Sequence, residues 1–369
     1  MAARVPFIKP HLPPPDEIAN DLREIYKNNY YSNNGPVYRR FAAAMEAYLG
    51  QGLHVVAVNN ATTALMLAMK ACCPKNSQKK YIAVPAFTFP AGPLAIEWCG
   101  YEPVFFDINT SDAQPSLKSF EKLYEKYQSQ VAGILLTNSF GIGNDELAKW
   151  EKTSEDKDLA LVIDSAPGIG SVYPDGRLLG GGGTCEIFSM HVTKPFGIGE
   201  GGLITTKDKA LAQKLESLKN FGFGPSKMTV GQGLNGKITE LDCAIGLRLL
   251  KSFDATLEQR KAVHKMYEDC LEGRVRFLPN ARKAAIQFIT IIVGAEVRDR
   301  VLACLEEHKI DARTYYAPPL HQHAYFKDTL KVELPETELL SRQIISLPLH
   351  GDMQPQLVER ICAIVKEAL

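Results

Sequence analysis

The sequence predicts an α/β protein, a mainly parallel three-layer sandwich over residues 1–250 followed by a smaller C-terminal α+β domain over 251–369. Three observations predict it. The strand-like segments are mostly continuous apolar runs, the pattern of strands covered by helices on both faces. These runs alternate with helix-forming stretches. The composition changes near Lys251, and at 369 residues the chain is long enough for two domains.

In chain order, the proline-rich segment to about Pro15 reads as an extended arm and residues 18–26 as a helix, followed by the turn-rich NNYYSNNGP at 28–36. A second helix carries Phe41, Met45, Tyr48 and Leu49 on one face, at i, i+4, i+7 and i+8. Residues 53–58 form a short apolar strand, Asn59 and Asn60 turn, and the stretch from Thr62 (TTALMLAMKACC) is a strong helix former. Further strands are expected at 81–84, 103–108, 133–137, 159–164, 185–190 and 202–206. A helix from Lys207 then places Leu211, Leu215 and Leu218 on one side. The C-terminal part reads as a helix at 257–271, a strand near 287–293, a helix at 297–308, an aromatic and proline-rich loop at 315–326, and a closing helix with Leu357, Ile361 and Ile364 inward.

Forty-two basic residues balance forty-two acidic ones, so no net field attracts nucleic acid or an anionic membrane. No apolar run approaches the roughly 20 residues that span a bilayer, and the N-terminus lacks a signal-peptide core, which predicts a cytoplasmic protein. The eight cysteines include no CxxC pair and read as reduced thiols. His321 and His323 lack further ligands, so no metal site is expected.

The chemistry-bearing residues gather after the strands. Lys194 stands between an apolar run and the glycine loop GIGEGG, followed by Pro195, which restricts its backbone. A loop lysine is ordinarily a solvated charge, but a desolvated one is a nucleophile toward carbonyls, including the aldehyde of pyridoxal phosphate (PLP). The helix start at 60–64 offers unpaired amides and a dipole that favour an anion, with hydroxyls from Thr62, Thr63 and, before the lysine loop, Ser189. Asn60 or Thr62 also reads as a plain N-cap. Asp164 ends a buried strand, where it either caps the next turn or faces the ligand crevice and pairs with a pyridine nitrogen. Phe89 is a candidate ring platform, or else core. GIGEGG also matches GxGxxG, but the β-like GLITT follows it where a dinucleotide fingerprint needs a helix.

Four blocks, VNNATTAL (58–65), VPAFTFPAGPLAIEWCGYEPVFFDI (84–108), VIDSAPGIG (162–170) and FSMHVTKPFGIGEGG (188–202), give the chain a resemblance to the sugar-nucleotide aminotransferases of the DegT/DnrJ type, a branch of the fold type I PLP enzymes. GLNGKITELDCAIGL (233–247), YYAPPLH and SLPLH extend the resemblance over nearly the whole length. It implies that Lys194 forms the Schiff base with PLP and serves as acid and base, that Asp164 pairs with the ring nitrogen, that Ala61, Thr62 and Ser189 hold the phosphate, and that Phe89 lies against the ring. It further implies that Asn235 reaches the cofactor of a neighbouring subunit, hence a homodimer with shared active sites. The implied substrates are L-glutamate and a nucleotide-linked keto-sugar, with C4 of dTDP-4-keto-6-deoxyglucose, as in viosamine synthesis, the nearest likeness. A C3-keto-sugar aminotransferase and an idle PLP-fold regulator are the alternatives, and idle branches typically lose the lysine or the acid, both present here. The sequence departs from the family pattern at Ala61, usually glycine, Pro167, usually glutamine or histidine, and Lys237, usually arginine. Pro167 removes a side-chain hydrogen bond expected near the cofactor's phenolic oxygen. Arg313, Tyr315, Tyr316 and His321 fall where the family's C-terminal domain closes over the site.

Overall fold

A computed structural model describes residues 4–50, 52–74 and 78–369; the first three residues of the N-terminal arm lie outside it. The elements run α1 (Pro15–Asn28), α2 (Pro36–Leu49), β1 (His54–Val58), α3 (Ala61–Cys72), β2 (Tyr81–Pro85), α4 (Ala91–Trp98), β3 (Glu102–Phe106), α5 (Leu117–Tyr127), β4 (Val131–Thr137), α6 (Leu147–Asp156), β5 (Ala160–Asp164), β6 (Cys185–Ser189) and β7 (Gly202–Thr206). They continue as α7 (Lys209–Leu218), α8 (Glu240–Leu250), α9 (Phe253–Leu271), β8 (Arg276–Phe277), β9 (Ile289–Ile292), α10 (Arg298–Glu307), α11 (Pro335–Ser341), β10 (Ile344–Leu347) and α12 (Pro355–Ala368).

Seven strands form one sheet in the order β1-β7-β6-β5-β4-β2-β3. All neighbouring pairs are parallel except those of β7, which runs antiparallel to both β1 and β6. The mainly parallel expectation therefore holds with one reversed strand. The three layers follow from side-chain alternation. Leu161 and Ile163 of β5 enter a core with Phe41, Met45, Phe106, Phe120 and Trp150, whereas Val162 enters the opposite one with Leu65, Met69, Ile96 and Leu215. Each such side chain, fully buried, contributes about 1.5–3 kcal/mol.

A second, antiparallel sheet, β10-β9-β8, packs with α9, α10 and α12 around a third core. The N-terminal arm belongs to that core: Val5 N–H donates to Lys309 O at 2.8 Å, and Val5 and Phe7 are buried in it.

Local chemistry sets the boundaries. The Asp208 carboxylate accepts from the amides of Ala210 and Leu211, so α7 starts at Lys209 rather than Lys207. Asn60 caps α3, whose first residue is Ala61. Proline opens α1, α2, α11 and α12, where its missing N–H costs nothing. The expected strand near 287–293 shortens to β9, leaving Gln287 and Phe288 ahead of it. Helices α4, α5, α6, α8 and α11 and strands β8 and β10 are elements that the apolar-run reading does not single out. No helix among the described residues is long and apolar enough to cross a membrane.

Candidate active site

The carboxyl ends of β4, β5 and β6 lie side by side, with Thr137 paired to Asp164 and Asp164 to Ile187. In a parallel sheet this edge is where loops leave a crevice. Here the crevice is a cavity of about 510 Å³, within the usual range for a small ligand. Ala61, Thr62, Phe89, Asp164, Ser189 and Lys194, six of the seven candidate residues, line it. Asn235 does not. It is exposed, and its Oδ1 accepts from Lys237 Nζ at 2.5 Å.

The lysine loop is held by its own backbone: Met190 N–H reaches Gly201 O at 2.8 Å, Val192 N–H reaches Gly199 O at 2.8 Å, and Lys194 N–H reaches His191 O at 2.8 Å. Lys194 Nζ donates to Gln287 Oε1 at 3.1 Å. Burial lowers its pKa and the Asp164 charge opposes that shift, with burial the larger effect. Asp164 Oδ1 accepts from Ala166 N–H at 2.9 Å. Burial raises the Asp164 pKa, against this amide and the Lys194 charge. The pair is thus an amine eased toward neutrality and a carboxylate short of positive charge.

At the other end of the cavity is the start of α3. Asn60 Oδ1 takes Thr63 N–H at 2.8 Å, and the amides of Ala61 and Thr62 have no intrahelical acceptor. The capping reading of Asn60 is therefore correct, and Ala61 and Thr62, whose amides it does not take, line the cavity. Gly202 is packed against this helix start: a Cβ there would stand 2.6 Å from the Asn60 carbonyl carbon and 2.8 Å from Ala61 N. Ser189, beside Gly202 across the β6–β7 pair, accepts His191 N–H on its hydroxyl at 3.2 Å. Phe89 is 55% exposed, so it is a free wall of the cavity and not core.

The sequence reasoning passed over several lining groups. Thr137 Oγ1 and Ser139 Oγ are buried without a partner. Gln287, contacting the reactive amine, comes from the C-terminal part of the chain. Tyr315 and Tyr316 line the cavity, as their loop position suggested, within an aromatic cluster: Tyr316 stacks on Phe140 at 5.8 Å and meets Phe87 at 5.4 Å, and Tyr315 lies 5.3 Å from Phe288. Such pairs contribute about 0.5–1.5 kcal/mol each beyond burial, and these join the two sheets at the site. Arg313 instead sits over Phe7, and His321 bonds Glu338 Oε1 at 3.2 Å in a separate groove. That groove is larger, about 1180 Å³, but its Lys118, Lys122, Lys126 and Lys331 are exposed charges, and its buried Ser119 and His321 are hydrogen-bonded to Asp107 N–H and Glu338.

PLP fits these residues. It needs an amine for its aldehyde, a negative group for its ring nitrogen, anion donors for its phosphate and a polar edge for its hydroxyl. Lys194, Asp164, the α3 amides with Ser189, and the unpartnered Thr137 and Ser139 hydroxyls provide these in one cavity. Pro167 lines the cavity and offers no side-chain donor.

Residues 15–366 match the DegT/DnrJ/EryC1/StrS aminotransferase family. Protein Rv3402c of Mycobacterium tuberculosis is 40% identical over 371 residues, covering 99% of this chain and 90% of that protein. The dTDP-4-amino-4,6-dideoxy-D-glucose transaminase of Shigella dysenteriae is 26% identical, covering 97% of each. Among solved structures, a Bacillus cereus protein provisionally assigned as a PLP-dependent aminotransferase superposes with a TM-score of 0.93 at 32% identity, covering 98% of this chain and all of that one.

Proposed function

The chain belongs to the DegT/DnrJ/EryC1/StrS aminotransferase family and is a PLP-dependent sugar-nucleotide aminotransferase, and from this premise we propose that it transfers the amino group of L-glutamate to C4 of dTDP-4-keto-6-deoxyglucose through Lys194. The observation that carries the role of Lys194 is its place in the cavity, beside an uncharged amide and in the field of a buried carboxylate. The dTDP transaminase of Shigella, aligned over almost its whole length, supports the choice of sugar.

PLP, when bound, supplies an aldehyde that captures amino groups and a ring that accepts the electron pair released at the donor carbon. The chain supplies the rest. The Asp164 carboxylate keeps a proton on the ring nitrogen, gaining the positive partner that its burial calls for. The amides of Ala61 and Thr62, with the Thr62 and Ser189 hydroxyls, hold the phosphate at the positive end of α3. Phe89, on the cavity wall, would supply an aromatic face for the ring. Lys194 Nζ tethers the cofactor and, once displaced by substrate, removes the proton from the α-carbon of glutamate and later delivers one to the sugar carbon. Asn235, exposed and outside its own cavity, reaches the phosphate in a second copy, so the enzyme is a homodimer.

Borohydride reduction of the PLP-loaded protein followed by peptide mapping tests the tether. A pyridoxyl group on Lys194 is expected; one on another residue, or none, overturns the assignment. Incubation with glutamate and keto-sugars carrying dTDP, UDP or GDP, with the keto group at C3 or C4, then tests the acceptor. Amination confined to a C3-keto sugar defeats the proposed substrate, and inertness toward all of them leaves the non-catalytic alternative.

A further inference from the structure

We propose that Gln287 is a positioning residue for the amino transfer: its amide oxygen holds the Lys194 nitrogen in the forms that carry a hydrogen, and Arg260 fixes Gln287 for that task. The inference rests on the assignment of Lys194 as the tether.

The contact is specific in its direction. Lys194 Nζ lies 3.1 Å from Gln287 Oε1, and a protonated lysine is a donor only, so the oxygen of the amide must face it. Gln287 is 8% exposed. A buried glutamine beside a lysine is held by its surroundings, and its backbone shows how. Arg260, on α9, donates from Nη2 to Ile286 O at 2.9 Å and to Gln287 O at 2.8 Å, and from Nε to Ile286 O at 3.1 Å. Burial lowers the pKa of this guanidinium to about 10, and the carbonyls of Ile286 and Gln287 accept its hydrogen bonds in place of water. A rigid fork on two successive carbonyls sets the direction in which the residue 287 side chain leaves the chain.

The consequence follows from what an amide oxygen can do. It accepts a hydrogen from an ammonium, from a neutral amine, or from the protonated nitrogen of a C=N bond. It offers nothing favourable to an unprotonated C=N nitrogen, whose lone pair points the same way. Gln287 therefore stabilises the protonated link between Lys194 and the cofactor, and it holds the released amine near the reacting carbon. Pro167 has no side-chain acceptor with which to do this from the sheet side, whereas Gln287 reaches the nitrogen from the C-terminal part of the chain. Lys194 thereby connects to a different part of the fold from the one that carries Asp164.

Absorbance of the PLP-loaded protein followed against pH reads the protonation of that nitrogen without turnover. A hydrogen bond to a charged group corresponds to about one to two pH units. Gln287→Ala is expected to lower the midpoint by that amount, Gln287→Glu, which keeps the shape and adds negative charge, to raise it, and Arg260→Lys to lower it by less. A purely structural role would not move Ala and Glu in opposite directions. An unchanged or raised midpoint in Gln287→Ala, or shifts of the same sign in both variants, overturns the proposal. Should Gln287→Ala fail to fold, Gln287→Glu decides by itself, and an unchanged or lowered midpoint overturns it. Absence of any absorbing link in the parent protein would instead refute the tether.

Discussion

Lys194 and Asp164 are thirty residues apart in sequence and act on each other through charge inside one cavity, each shifted by burial in the direction that favours its neutral form. The neutral amine is the reactive one, so lowering the lysine pKa moves reactivity toward lower pH. The rate at which cofactor-free protein captures PLP is expected to rise with pH through a midpoint below the ordinary lysine value of 10.5. Asp164→Asn removes the charge that favours the ammonium, so that midpoint should fall further. In the proposed role of Asp164 the same substitution would leave the ring nitrogen without its counter-charge, and turnover should drop about 10- to 100-fold, the equivalent of one charged hydrogen bond. Stopped-flow capture and steady-state rates check the two halves. A midpoint that rises in Asp164→Asn would contradict the electrostatic account. At this scale the sequence was informative about Asp164, because a carboxylate ending an apolar strand has few cheap places to be. It was silent about Thr137 and Ser139, whose hydroxyls acquire meaning only through being buried and unpartnered.

The anion cup is a product of two elements, the start of α3 and the strand β7 pressed against it. Gly202 makes that approach possible, since any Cβ would collide with the Asn60 carbonyl and Ala61 N. Gly202→Ala should therefore displace the helix start at about 1–3 kcal/mol of packing strain and weaken PLP binding at least tenfold, while the far-ultraviolet circular dichroism stays that of the parent. Unchanged PLP affinity, measured by titration of the apoprotein, would show that the cup does not depend on this contact. Removing the cap itself by Asn60→Ala frees Thr63 N–H and is expected to cost about 1 kcal/mol of stability, read as a lower melting temperature. The VNNATT block pointed to this helix start in advance, as capping chemistry is local. The reversal of β7 was not foreseen, because an apolar run of five residues reads the same in either direction.

Over the whole molecule, the cavity is closed by parts that come from both ends of the chain. Ile8 of the arm lines it, Phe7 packs on Phe288 and Tyr315, and Phe288 and Tyr316 in turn meet Phe140, with Tyr316 also against Phe87, from the larger sheet's loops. On the outside, the segment 220–235 exposes Phe221, Phe223, Met228 and Val230 near Asn235, an unusual apolar concentration for a solvated surface. A second copy covering it would bring Asn235 to the neighbouring cavity. On the proposed dimer, the double substitution Phe221→Glu and Phe223→Glu should thus yield a monomer in sedimentation and lower PLP affinity together. A dimer that persists with both charges in place would move the interface elsewhere. Residue pattern alone determined the layered α/β plan and the placing of Lys194, Asp164 and the α3 start at strand ends, because periodicity, capping and the cost of burying charge act over a few neighbouring residues. Only the tertiary structure decided that Gln287 contacts that lysine and that two tyrosines from the C-terminal part of the chain line its cavity, since contacts across more than ninety residues are set by how the cores pack and leave no mark in local periodicity.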